Sequence, residues 1–156
     1  MPTPNAEQLG RVYGFFAYRV PSRDDTEELT QQTFERALRA WHRFDPAQGP
    51  VGVWLMTIAR NLLIDHYRGD RSVRLGALED VGEERLGSGE PDPDLGIEPE
   101  LAKALGELSP REREVIALHF GADLSGRQIA ELSGLSLSNA QQILSRSLRR
   151  LRGALD

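Results

Sequence analysis

The sequence predicts an all-α protein: two small helical domains joined by a flexible acidic linker, the second a four-helix domain containing a helix-turn-helix. Three observations carry this. Apolar residues recur at helical spacing on both sides of the chain's middle, and sheet signals are absent. Residues 75–98, LGALEDVGEERLGSGEPDPDLGIE, are rich in Gly, Pro and acid and show no sustained period. Residues 124–151, LSGRQIAELSGLSLSNAQQILSRSLRRL, set a capping residue, a small residue, a turn glycine and an apolar plug at the spacing of a helix-turn-helix. The domains are therefore 1–74, the linker 75–98, and 99–156.

Asn5 caps a first helix running to about Arg19, with Leu9, Val12, Tyr13 and Phe16 on its apolar side. Val20-Pro21-Ser22 breaks it, because proline disfavours helix at the residue before it. Ser22 opens a long helix whose first turn holds Asp24 and Asp25, suited to its positive end. The inward stripe is Leu29, Phe34, Ala37, Leu38 and Trp41. Glu28, Gln31, Gln32, Glu35, Arg36 and Arg39 fall outside, a face that spacing alone reads as solvated surface. The loop Asp45-Pro46-Ala47-Gln48-Gly49-Pro50 follows. The next helix, Val51 to Gly69, places Leu55, Ile58, Ala59, Leu62 and His66 on one side and Thr57, Arg60, Asn61, Ile64 and Arg68 on the other. Arg, Asn and Thr on one face, continued by Arg71 and Arg74, suit contact with phosphates and base edges. Trp54 reads as core rather than as a wedge into DNA.

After the linker, Leu101, Leu105 and Leu108 mark a short helix. Ser109-Pro110-Arg111-Glu112 is a capping box opening a helix through Val115, Ile116, Leu118 and His119, which Gly121 ends. Ser125 caps the first helix of the helix-turn-helix, and Gly134 makes its turn. Either Ser136 or Ser138 caps the second helix, whose inner stripe is Ala140, Leu144, Leu148 and Leu151. An ordinary helical hairpin with a polar face is the plainer reading of the same pattern.

Composition excludes several classes. Cysteine is absent, and His42, His66 and His119 lie far apart, so no metal site is expected. No apolar run approaches a bilayer's thickness, and the N-terminus MPTPNAEQ lacks a signal peptide's regions, so a cytoplasmic location is expected. The net charge of −5 is unevenly placed. Residues 1–75 carry ten arginines against nine acids, residues 76–100 one arginine against nine acids, and residues 101–156 eight basic residues against six acids. The acidity sits in the linker, and the flanking blocks are neutral to basic.

Taken in order, ELTQQTFERALRAWHRFDP, VWLMTIARNLLIDHYR, the acidic linker, LSPREREVIALHF and LSGRQIAELSGLS resemble a small extracytoplasmic-function (group 4) sigma factor of the sigma-70 family. The resemblance spans essentially the whole chain. It implies a dissociable RNA polymerase subunit that directs core polymerase to specific promoters and helps open them. Its partners would be the largest-subunit clamp helices, the flap of the second-largest subunit, promoter DNA and an anti-sigma factor. No cofactor, membrane or small-molecule substrate is implied.

The resemblance also assigns residues. Glu28, Gln31, Gln32, Phe34 and Glu35 match the segment that docks on polymerase. Phe44, Asp45 and Gln48 match the loop that captures a base flipped from the minus-ten element, where the family's usual Gly-Ser-Phe is Gly49-Pro50-Val51 and the stacking aromatic is missing. Thr57, Arg60, Asn61, Asp65 and Arg68 match the helix facing minus-ten DNA. Arg127, Ser138, Asn139, Gln141, Gln142, Ser145, Arg146 and Arg149 match the surface that binds the minus-thirty-five element, with Arg150 also holding backbone. The family's common Lys and Arg in this helix are Gln141 and Ile143, which gives amides the leading role. Asn and Gln pair bidentately with adenine, so an A-containing element is expected.

Two other readings compete. SPREREVIALHFGADLSGRQIAELSGLS fits a LuxR-type regulator's DNA-binding domain nearly as well, but such a protein would carry a strand-containing N-terminal half. An enzyme would need a nucleophile–base set, paired acids or a glycine-rich phosphate loop, and the chain shows none.

Overall fold

The computed structural model describes residues 5–74 and 98–155, the side chains of 70–74 excepted. The expected linker, apart from Glu98, and the expected contacts of Arg71 and Arg74 lie outside the described residues. The elements are helices α1 (Ala6–Ala17), α2 (Arg23–Arg39), α3 (Val51–Arg74), α4 (Pro99–Gly106), α5 (Pro110–Ile116), α6 (Gly126–Ser133) and α7 (Leu137–Leu155). Two 3₁₀ turns, Trp41–Arg43 and Pro46–Gln48, join α2 to α3, and a π turn, Ala117–Gly121, extends α5. Among the described residues there is no strand.

The starts follow from caps. The Asn5, Ser109 and Ser125 side chains each accept a backbone N–H three residues on, and Gln8, Glu112 and Gln128 complete the three capping boxes in return. Ser22 Oγ accepts from Asp25 N. The start of α7 is settled in favour of Ser136, whose Oγ accepts from Asn139 N at 3.1 Å. Helix α3 runs five residues past its expected end at Gly69.

The N-terminal helices α1–α3 and the C-terminal helices α4–α7 are packed on one another. Val12, Phe15, Phe16, Leu55, Met56 and Leu63 share one buried cluster with Val115, Ala117, Leu118, Leu124 and Ile129. A smaller cluster of Ala104, Leu105, Leu108, Ile116 and Leu151 holds α4 against α7. The closest approach between the groups is backbone to backbone. A Cβ added at Gly14 of α1 would lie 2.5 Å from the Gly121 carbonyl oxygen, and one at Gly121 would lie 2.6 Å from the Gly14 oxygen.

Several expected inward stripes are corrected. Phe15, not Leu9, is buried in α1, because the helix is clasped from two sides, by α2 and α3 and by the π turn. In α2, Leu38 is 45% exposed and Phe34 only partly covered, as is Trp41 in the turn that follows, while Thr26, Thr30 and Thr33 are buried. Each threonine hydroxyl donates to the carbonyl four residues back, so its burial leaves no polar group unpaired. Helix α3 also buries Met56, Leu63 and Tyr67, and α7 buries Ile143 and Ser147.

Candidate nucleic-acid interface

Four surfaces carry the expected site residues. On α2, Glu28, Gln31 and Glu35 are exposed and Gln32 and Phe34 half-buried. Gln31 Nε2 donates to Glu35 Oε1 and Gln32 Nε2 to Glu28 Oε1, each at 3.1 Å. These two exposed i,i+4 rungs each contribute about 0.2–0.5 kcal/mol to the order of the polar face. Leu38, four residues from Phe34 and seven from Gln31, adds an apolar patch to the same face. Its spacing carried that signal, but its aliphatic character sent it to the core.

The turns between α2 and α3 build an aromatic recess. Trp41, Phe44 and Trp54 form a three-ring cluster with centroids 5.2 to 5.8 Å apart. Asp45 Oδ1 accepts from Ala47 N and fixes the second turn, and Gly49 takes φ +143°, where an L side chain is strained. The result is a recess of about 210 Å³ lined by Arg43, Phe44, Gln48, Trp54 and Thr57 among others. Gly49-Pro50-Val51 supplies no aromatic ring, but Phe44 and Trp54 contribute rings to the lining of the recess. Trp54 is thus both packed and site-lining, and Arg43 is a lining residue that sequence reasoning missed.

Along α3, Thr57, Asn61 and Arg68 are exposed, as the helical period required, and so is Asp65. Arg60 is not free. Its Nε donates to Glu114 Oε1 of α5 at 2.6 Å and its Nη2 to Oε2 at 3.4 Å. Arg19 reaches the same seam, with Nη1 donating to the Pro110 carbonyl at 2.9 Å and its guanidinium 5.7 Å from the Tyr67 ring centre. These pairings join residues 54 and 91 positions apart in sequence, beyond any local pattern.

In the C-terminal group, Gly134 takes the left-handed conformation, φ +71°, that the turn of a helix-turn-helix needs. Arg127, Ser138, Asn139, Gln141, Gln142, Ser145, Arg146 and Arg149 are all exposed. Gln141 lies over the start of α6, its Cγ 3.6 Å from where a Gly126 Cβ would stand. Ile143, at a position where the family pattern has arginine, is 3% exposed and belongs to the core. Arg146 Nε donates to Glu112 Oε2 at 3.3 Å, and Arg150 pairs with Glu112 Oε1. Both are therefore oriented from behind while remaining about half exposed. Among the described residues no group of His, Cys, Asp or Glu is arranged to hold a metal ion, and no helix is long and apolar enough to cross a membrane.

Comparison with known proteins agrees with this layout. The Sigma-70 region 2 family model matches residues 6–73, and the Sigma-70 region 4 model matches residues 104–153. The chain is 31% identical over 150 residues to the RNA polymerase sigma factor CarQ of Myxococcus xanthus, covering 96% of this chain and 86% of CarQ. It is 30% identical over 152 residues to the ECF RNA polymerase sigma factor SigX of Bacillus subtilis, covering 90% and 76%. With the ECF sigma factor BldN of Streptomyces coelicolor it shares 32% over 143 residues, 90% of this chain but 54% of BldN, about half that relative's length. Among solved structures, RpoE of Bartonella quintana, crystallised with the anti-sigma factor NepR, has the same fold, with a TM-score of 0.79 at 23% identity over 95% of this chain and 91% of that one. CnrH in complex with the cytosolic domain of CnrY gives a TM-score of 0.62 at 27% identity, over 96% and 80%.

Proposed function

The chain belongs to the extracytoplasmic-function sigma factors of the sigma-70 family, and we propose that its four exposed surfaces divide the work of promoter selection among them. As a sigma factor it is an initiation factor, not an enzyme. The LuxR-type alternative is set aside, because the N-terminal half matches sigma-70 region 2 and contains no strand among the described residues.

The α2 face, with its two Gln–Glu rungs and exposed Leu38, docks on the clamp helices of core polymerase. A minus-ten base, once unstacked, enters the recess lined by Phe44 and Trp54, where ring contacts offset the unstacking cost of a few kcal/mol. Thr57, Asn61 and Arg68 follow the adjoining strand. In the minus-thirty-five element, Asn139, Gln141 and Gln142 read base edges from the major groove, and Arg127, Arg146 and Arg149 hold phosphates. The observation that carries this reading is the occurrence in one chain of the aromatic recess and the amide-lined α7 face. Work on polymerase places the protein in the cytoplasm. An anti-sigma protein covering these surfaces would hold it inactive; RpoE of Bartonella quintana was crystallised with such a factor.

The test is transcription by core polymerase on a genomic library, with start sites mapped with and without the chain. New start sites sharing an A-containing upstream element are expected. Failure to bind core polymerase, or to shift any start site, would overturn the proposal.

A further inference from the structure

The seam between the two helical groups holds a cleft of about 360 Å³, at the small end of the range for ligand pockets. Four arginines line it, Arg19, Arg60 and Arg68 from the N-terminal group and Arg111 from α5, against the single carboxylate of Glu114. Glu114 is already committed to Arg60. Arg68 and Arg111 have no hydrogen bond or ion pair among the described residues and are exposed. Arg19 is 9% exposed, and its Nε has no partner. This excess of guanidinium over carboxylate gives the cleft a positive potential that favours an anion. Its remaining wall is apolar, with Leu63, Tyr67 and a 40% exposed Ile64.

Guanidinium forks match phosphate oxygens in geometry as well as charge. We propose that this cleft binds a small phosphorylated organic molecule of the nucleotide class, its phosphates between Arg68 and Arg111 and its apolar part on Ile64 and Tyr67. Such a ligand touches both helical groups, so it binds the packed arrangement in preference to any separated one. By linkage it opposes whatever requires Arg60 and Arg68 to leave the seam. That last consequence rests on the proposed role of α3 in minus-ten DNA; the binding itself does not.

The probes are ADP, inorganic pyrophosphate and adenosine, added to the full chain and followed by calorimetry and thermal melting. ADP is expected to bind and raise the melting temperature, pyrophosphate to bind more weakly, and adenosine to bind least. Arg111→Ala, with the Ser109 capping box intact and basal melting unchanged, is expected to weaken ADP roughly tenfold by removing one charge-assisted contact. Binding to core polymerase, measured without nucleotide, is expected to survive that variant, so loss of the site and loss of sigma function are separable. No shift with ADP or pyrophosphate at millimolar concentration, or a shift that Arg111→Ala leaves intact, would overturn the site. Pyrophosphate matching ADP would overturn the apolar half of the proposal.

Discussion

Glu112 has almost no solvent contact, with its side chain 3% exposed, yet it accepts from Ser109 N and pairs with Arg146 and Arg150. Burial pushes its carboxyl up, but the Ser109 hydrogen bonds and the two arginine charges pull it further down, leaving it below the usual glutamate range. A carboxyl depressed in the folded state adds stability that is present above the unfolded value and is lost as pH falls through the folded one. Stability should therefore fall less steeply with decreasing pH in Glu112→Gln than in the wild type, checked by melting temperature against pH from 7 downward. At neutral pH the same change is expected to cost about 2 kcal/mol, since the charged hydrogen bonds go but the half-exposed arginines rehydrate. At this scale the sequence was legible in part. The capping box announced Glu112's bond to Ser109, whereas its ion pairs lie 34 and 38 residues away and follow only from how α5 meets α7.

The helix boundaries were readable because caps are local chemistry. Ser136→Ala is expected to destabilise the C-terminal group by about 1 kcal/mol, the usual worth of an N-cap. Ser138→Ala should leave melting unchanged and weaken minus-thirty-five binding instead. A pair of thermal melts alongside DNA titrations separates the two, and equal melting losses would reject Ser136 as the cap. The inward faces were less readable. Thr26, Thr30 and Thr33 hide their hydroxyls in the preceding turn and so enter the core of α2, a choice that polarity-based reading assigns to Leu38 and Trp41. Displaced outward, Leu38 becomes testable. Leu38→Ser is expected to weaken core-polymerase binding severalfold with little change in melting, since a 45% exposed leucine contributes little to the core.

Across the whole molecule, what no local pattern foretold is that the two helical groups pack on one another. Close approach depends on Gly14 and Gly121, and Gly14→Ala would push backbone against backbone where neither side can yield. That variant should lose about 1–3 kcal/mol and show a larger radius of gyration by small-angle scattering. The Arg60–Glu114 pair spans the same seam and withdraws a residue expected to face DNA. Glu114→Gln should release Arg60, so that the free chain binds minus-ten DNA more tightly, with a steeper dependence on salt. An unchanged salt slope would show that Arg60 makes no phosphate contact. Helical period set which residues share a face, and the family resemblance gave those faces their expected roles. The sequence was silent on their occupation, because that depends on contacts across the seam.

The chain's two tryptophans, Trp41 and Trp54, stand in one cluster with ring centres 5.8 Å apart. All indole emission therefore originates beside Phe44 at the mouth of one recess, and the protein carries its own optical gauge there. Single-stranded promoter DNA seated in that recess should quench this light, while duplex bound to α7 leaves it nearly constant. Stopped-flow emission would then time strand capture separately from upstream docking, without attaching any dye.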